Sequence, residues 1–194
     1  GGFDTLEKLI TGYFYAINLR TAGANSIDVG TLSDSTLFLS TIFMVIGGGV
    51  GGTAGGIKVT TFAVIAIATW HSIKGHSDAS VFKRTIPHQT VMQAFTILLV
   101  GTFYIIAATI LISETQDVRF IKIIFEVASA FGTVGLSTGN GGVLSLSANF
   151  NDFGKLVIVF IMLAGRIGFL AFTLAFIGKI EEKRYKHAEG RIIL

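Results

Sequence analysis

Cysteine is absent from the 194 residues, so neither a disulfide framework nor a thiolate metal site is available. Charge is scarce: Asp, Glu, Lys and Arg together make up 14% of the chain, where a soluble domain carries about a quarter. Proline occurs once, at Pro87. No paired His or Asp cluster falls inside an apolar run, so the catalytic groups of a membrane enzyme are missing and no enzyme is expected. What is abundant is apolar: 51% hydrophobic residues and a mean hydropathy of +0.70. Glycine is also abundant, at 24 residues. That combination fits close helix packing and irregular backbone at membrane depth.

Residues 90–113 form an apolar run long enough to cross a hydrocarbon core of about 30 Å. Residues 154–178 form a second, interrupted by Arg166. Residues 37–70 are apolar at both ends but enclose Gly47-Gly48-Gly49-Val50-Gly51-Gly52-Thr53-Ala54-Gly55-Gly56-Ile57-Lys58. Each Gly costs a helix about 1 kcal/mol relative to Ala, which predicts a broken helix. Residues 5–16 and 120–131 are too short to span. Each leads into a Thr-x-Gly turn, Thr21-Ala22-Gly23 and Thr133-Val134-Gly135, which lie 112 residues apart. A repeat at fixed offset decides architecture before any local motif. The unit it predicts is span, half-helix, filter, span.

The expected fold is therefore an all-α integral membrane protein of repeated span–pore helix–filter–span units, with one partial and one complete repeat. Its predicted parts are residues 1–70, a cytoplasmic loop at 71–89, a full unit at 90–178 and a cytoplasmic tail at 179–194. The loop carries Lys74, Lys83 and Arg84, and the tail carries Lys179, Lys183, Arg184, Lys186 and Arg191. Such basic segments stay inside. Asp28, Asp34, Glu114, Asp117 and Asp152 then form an acidic outer rim that raises the local cation concentration, or merely solvate the loops. The chain opens Gly1-Gly2-Phe3. Its first copy lacks the apolar run that precedes the second, so an upstream half of the same subunit is expected.

A dehydrated cation needs several oxygens around it, and backbone carbonyls supply them without fixed charge. Arg20, Thr21, Ala22 and Gly23, with Gly132, Thr133, Val134 and Gly135, are the filter candidates. The Gly-rich string is the gate candidate: Gly47, Gly48, Gly49, Gly51, Gly52, Thr53, Gly55 and Gly56, ending at Lys58. The competing reading of that string is a small-residue packing face. It also mimics a phosphate-binding loop, but Ile57 separates Gly56 from Lys58 and Val59 follows, which breaks that motif. Arg166, a charge within an apolar span, faces a cavity or a partner by default. Here it either stands in the pore or pairs with Glu126. Asn18, Asn25 and Glu126 are expected to brace the filter backbone. His71, His76 and His88 match no metal template, and Trp70 suits an interfacial anchor.

The strings Leu19 to Gly23, Ile46 to Lys58, Phe125 to Gly139 and Ala164-Gly165-Arg166-Ile167-Gly168 resemble the Trk/Ktr/HKT potassium transporters. The compact ending Arg191-Ile192-Ile193-Leu194 is most similar to the Ktr membrane subunit. The resemblance implies four repeats around one pore, of which this chain holds the third without its first span and the whole fourth. It implies that the Gly-rich loop lies below the filter and gates it, with Arg166 projecting into the pore there. K+ is the implied cargo, possible Na+ dependence is left open, and no cofactor is implied. The implied setting is the plasma membrane, as a homodimer with a cytoplasmic nucleotide-binding ring and no nucleic-acid partner. A secondary transporter for another cation or a small solute is the alternative. Broken helices mark such sites too, but those repeats are inverted, whereas these run parallel.

Overall fold

The computed structural model describes residues 4–49, 51, 52, 54–75, 78–139 and 144–168. Six helices follow in order: α1 (Thr5–Asn18), α2 (Asp34–Val45), α3 (Val59–Ile73), α4 (His88–Ser113), α5 (Phe120–Gly132) and α6 (Asp152–Ile167). The short stretches expected at 5–16 and 120–131 are α1 and α5. The broken span is α2 and α3 with residues 46–58 between them, and the described part of that stretch is irregular apart from one bridge between Ile46 and Ile57. Thr53 of the gate candidates and the basic tail lie outside the described residues, as does the far part of the run at 154–178.

Local chemistry sets the helix starts. Asp4 and Glu7 cap α1 reciprocally, the Asp4 carboxylate accepting from the Thr5 N–H and the Glu7 carboxylate from the Asp4 N–H. Ser33 caps α2 and Asn151 caps α6, each followed by an Asp in the first turn, where the helix dipole favours a negative charge. A 3-10 turn precedes each of these caps, at Val29–Thr31 and Leu146–Asn149. The order short helix, Thr-x-Gly, 3-10 turn, capped apolar helix thus occurs twice.

Helix α5 stands at the centre and packs against α2, α4 and α6. From Phe125 to Ser129 every residue of it is buried, and Ile123, Phe131 and Gly132 are buried as well, because helices flank it on several sides. Ile123, Val127 and Phe131 join Ile105 and Ile112 of α4 and Ile158 and Ile161 of α6 in one core. Phe125 and Ala128 join Leu37 and Met44 of α2, with Leu19, Val29, Val134 and Leu136, in another. Helix α1, in the corresponding place of the first unit, buries only Asn18.

Among the described residues, α4 is the helix long and apolar enough to cross a membrane, while α2 and α3 are shorter apolar helices. Many large apolar side chains on α1, α2, α4 and α6 face outward. One departure from the all-α expectation is a small hairpin between α3 and α4, with β1 (Ser80–Val81) paired antiparallel to β2 (Arg84–Thr85). Its two-residue turn holds Phe82 and Lys83 at φ +49° and +65°. Such turns need positive φ at both positions and are usually marked by Asn or Gly, so this sequence carried no sign of one.

Candidate functional site

The two Thr-x-Gly segments have the same unusual backbone. Thr21 and Gly23 lie at φ +63° and +68°, Thr133 and Gly135 at +52° and +90°. A β-branched residue in the left-handed region is strained by about 1–3 kcal/mol and persists only where its surroundings impose it. The impositions are visible. The Ala22 and Gly23 N–H groups both reach the Asn18 carbonyl, at 3.4 and 3.5 Å. In the second segment Thr133 N–H donates to the Ala130 carbonyl and Val134 N–H to that of Ser129, at 3.1 and 2.9 Å. Each segment is thereby folded onto the C-terminal end of its short helix.

The segments also meet each other. A Cβ built on Gly135 would lie 3.7 Å from the Gly23 Cα, and one built on Gly23 would overlap the Val134 carbonyl oxygen. The C-terminal ends of α1 and α5, where backbone carbonyls lack helical partners, come to the same place. Each carries about half a negative charge there.

The Gly-rich segment lies directly against the second Thr-x-Gly. Gly55 N–H donates to Thr133 Oγ1 at 3.0 Å, and a Cβ on Gly55 would fall 3.0 Å from the Gly132 carbonyl oxygen. Gly56 N–H donates to the Gly165 carbonyl on α6 at 3.3 Å. Within the segment the strands of chain on either side bond to each other. Ile57 N–H donates to the Val45 carbonyl, Gly47 N–H to that of Ile57 and Val59 N–H to that of Gly48, at 3.0, 2.8 and 3.3 Å. Lys58 ends the segment, and its Nζ donates to the Ala54 carbonyl.

Geometry divides these glycines in two. Gly47, Gly55 and Gly56 are buried, and each sits where a Cβ would press on neighbouring backbone or on Thr133. Gly49, Gly51 and Gly52 are exposed, with no group closer than 3.6 Å to an added Cβ. Close packing therefore accounts for the ends of the string and not for its middle. Gly132 and Gly165 belong to the same packed knot, against the Met44 and Phe131 carbonyls. Gly165 was visible only as part of a motif, because a single Gly in an apolar run carries no sign of what crosses it.

The bracing residues behave unequally. Asn18 is buried, and its Oδ1 accepts from Ala24 N–H at 3.2 Å. Asn25 and Arg20 are exposed. Glu126 is buried, and among the described residues its hydrogen bonds do not go to the Thr133–Gly135 backbone. Its carboxylate accepts from the Ser137 hydroxyl at 2.7 Å and from Ser147 N–H at 3.1 Å. Ser137 Oγ in turn accepts from Gly139 and Leu146 N–H groups, at 3.2 and 2.8 Å. Glu126 thus ties down the segment that follows the tripeptide. The reason is position: seven residues of helix are about 10 Å, and the chain leaving Gly135 runs back alongside α5 to reach that level. Ser137 carried no earlier sign of this role.

Arg166 lies in the last turn of α6, next to Gly165 and therefore beside the anchored end of the Gly-rich segment. At the other end of α5, Arg119 pairs with Asp34 at 2.6 Å, both well exposed, so Asp34, expected in an acidic rim, has a basic partner. No group of three potential metal ligands occurs among the described residues. His71 and His88 do line one hollow with Asp78, and His76 lies outside the described residues.

The chain matches the family described as TrkH, cation transport protein, over residues 3–188. It is 34% identical over 192 residues to the Ktr system potassium uptake protein B of Bacillus subtilis, covering 99% of this chain and 42% of that protein. It is 36% identical over 194 residues to the potassium/sodium uptake protein NtpJ of Enterococcus hirae, covering 97% and 42%. The crystal structure of the potassium transporter TrkH from Vibrio parahaemolyticus shares the fold, with a TM-score of 0.67 and 21% identity over 81% of this chain and 35% of that one. The chain spans less than half the length of these relatives. By the extent of the family match, it belongs to the TrkH family of cation transport proteins.

Proposed function

We propose that this chain forms part of the membrane subunit of a potassium uptake system and contributes two of the backbone segments that select the ion. The observation that carries this reading is the pairing of Gly23 with Gly135. Two strained Thr-x-Gly segments of like conformation, each at the C-terminal end of a short helix, lie against each other. In an ordinary strand successive carbonyls point to opposite sides. Left-handed residues interrupt that alternation and let carbonyls turn to a common side. Helix C-termini add negative potential without a fixed carboxylate, so a cation is stabilised and still released. Glycine at both positions keeps the conformation affordable.

The Gly-rich segment is the gate. Its C-terminal end is anchored to Thr133 and Gly165 through Gly55 and Gly56, which supports a loop held under the filter. Its exposed middle at Gly49, Gly51 and Gly52 has room to move. Arg166, beside the Gly165 anchor, acts as an electrostatic barrier in the pathway. The pore is completed by the upstream half of the same subunit. By likeness to the Ktr relatives, the subunit works as a plasma-membrane homodimer under a cytoplasmic nucleotide-binding ring. The name of the Enterococcus relative extends the candidate cargo to Na+.

The test is rubidium uptake by the full-length protein with Gly135 replaced by Ser. The reading expects the preference for Rb+ over Na+ to fall. Full retention of both rate and preference would remove Gly135 from the ion path.

A further inference from the structure

The connection between α3 and α4 brings exposed apolar side chains and unpaired basic ones to one level. Helix α4 holds 26 residues, about 39 Å of helix, against a hydrocarbon core of about 30 Å. The excess leaves its polar first turn, His88-Gln89-Thr90, at headgroup depth. Only Ile86 and Pro87 join that turn to β2, so the hairpin lies at the same depth. There Phe82, in the hairpin turn, is 96% exposed, and Trp70 and Ile73, in the last turn of α3, are 59% and 74% exposed. Water is a poor neighbour for three such side chains.

The same surface is basic. The Lys74 ammonium stands over the Trp70 ring, 4.8 Å from its centroid. Arg84 is directly opposite Val81 in the hairpin, and opposite residues of an antiparallel pair put their side chains on one face. Val81 lines a hollow of about 460 Å³ with Ala66, Ile67 and Trp70. An apolar hollow thus lies between a cation on α3 and a cation on β2. Lys74, Lys83 and Arg84 make no ion pair among the described residues. Asp78, the one carboxylate of residues 71–89, lines a different hollow with His88.

We propose that this surface is a binding site for an anionic phospholipid, with the phosphate between Lys74 and Arg84 and an acyl chain along the hollow beside Trp70 and Val81. Phe82 enters the acyl region next to it, while Lys83, its neighbour in the turn, stays among the headgroups. A zwitterionic lipid offers the same chains and phosphate, but its own ammonium opposes the two cations, so the site selects for net negative charge. An acidic protein would answer the cations and leave Trp70 and Phe82 uncovered at the bilayer surface. The site lies apart from the Thr-x-Gly segments. It rests on α4 crossing a bilayer and not on ion conduction.

The test is fluorescence quenching in vesicles that hold the full-length protein, the signal being the emission lost on Trp70→Phe. Brominated phosphatidylglycerol and brominated phosphatidylcholine are compared at equal mole fraction in a phosphatidylcholine bilayer. A basic side chain near an anionic headgroup strengthens occupancy about fivefold, so quenching by the phosphatidylglycerol should be steeper by at least that factor. Lys74→Gln combined with Arg84→Gln should bring the two lipids level, and Arg84→Gln alone should fall between. Lys155→Gln, which removes an exposed charge on α6, should keep the preference. Equal quenching of the unmodified protein by both lipids overturns the site, as does a preference that survives the double variant. Quenching by neither lipid overturns it differently, by showing Trp70 outside the bilayer or covered by the rest of the subunit.

Discussion

Gly55 donates its backbone N–H to the hydroxyl of Thr133 at 3.0 Å, across 78 residues of chain. This one bond joins the Gly-rich segment to the strained tripeptide of the second unit. It gives Thr133 two duties: its backbone holds a left-handed turn, and its side chain holds the loop.

Replacing Thr133 by Val separates those duties. Val has nearly the same shape and the same strain at φ +52°, but it offers no acceptor. The Gly55 N–H is left unpaired at a cost of about 1–3 kcal/mol, which loosens the loop. The expected outcome is a severalfold rise in Rb+ flux measured without the cytoplasmic regulator. Thr133→Ser keeps the acceptor and should keep flux near the unmodified level. Equal flux in all three proteins would show that this bond does not restrain the loop.

Gly23 and Gly135 should respond differently to Ala. At Gly23 a Cβ overlaps the Val134 carbonyl as well as facing a positive φ. At Gly135 the nearest group is the Gly23 Cα at 3.7 Å, so the added cost is mainly conformational. Gly23→Ala should lower Tm and abolish Rb+ uptake. Gly135→Ala should leave more folded protein and alter ion preference instead. Thermal unfolding and ion competition, measured on both variants, check this.

Within the Gly-rich string and its anchor, stability should follow packing. Gly165→Ala drives a methyl group into the Phe131 carbonyl, and overpacking of this kind costs about 1–3 kcal/mol. Gly49→Ala meets nothing within 4 Å and should leave Tm unchanged. A fall in Tm for Gly49→Ala comparable to that for Gly165→Ala would show that the middle of the string is packed as well.

Ser137→Ala removes the hydroxyl that serves Glu126, Gly139 and Leu146 together. One buried carboxylate loses a donor and two N–H groups lose their acceptor, so a loss of at least about 2 kcal/mol is expected. The segment that follows Gly135 should lose protection from hydrogen exchange before α4 does. Uniform loss of protection across both would contradict a local role.

Arg166→Ala should raise cation flux if its charge stands in the pathway. Arg166→Lys keeps a charge and should stay closer to the unmodified rate. Lower flux for Arg166→Ala in correctly inserted protein would assign Arg166 to holding the fold.

Much of this was legible in local pattern. The lengths of the apolar runs set α4, the Gly density set the break between α2 and α3, and the recurrence of Thr-x-Gly marked both strained turns. Glu126 was recognisable as a buried acceptor, but its partners were not. They follow from how far the chain climbs back along α5 after Gly135, a matter of path rather than composition. The partner of Asp34 was equally out of sight: it finds Arg119 across 85 residues, and no spacing rule links them. The hairpin at Phe82 and Lys83 escaped notice because its turn residues are atypical.

The sequence by itself determined the medium, the irregular mid-span backbone and the duplicated turn, because hydropathy, helix propensity and repetition are properties of neighbouring residues. Only the tertiary structure decided that Gly23 touches Gly135, that Gly55 hangs from Thr133, and that the glycines of one string divide into packed ends and an open middle. Those relations depend on backbones approaching closer than any side chain permits. Where two such backbones cross is settled by the packing of whole helices around α5.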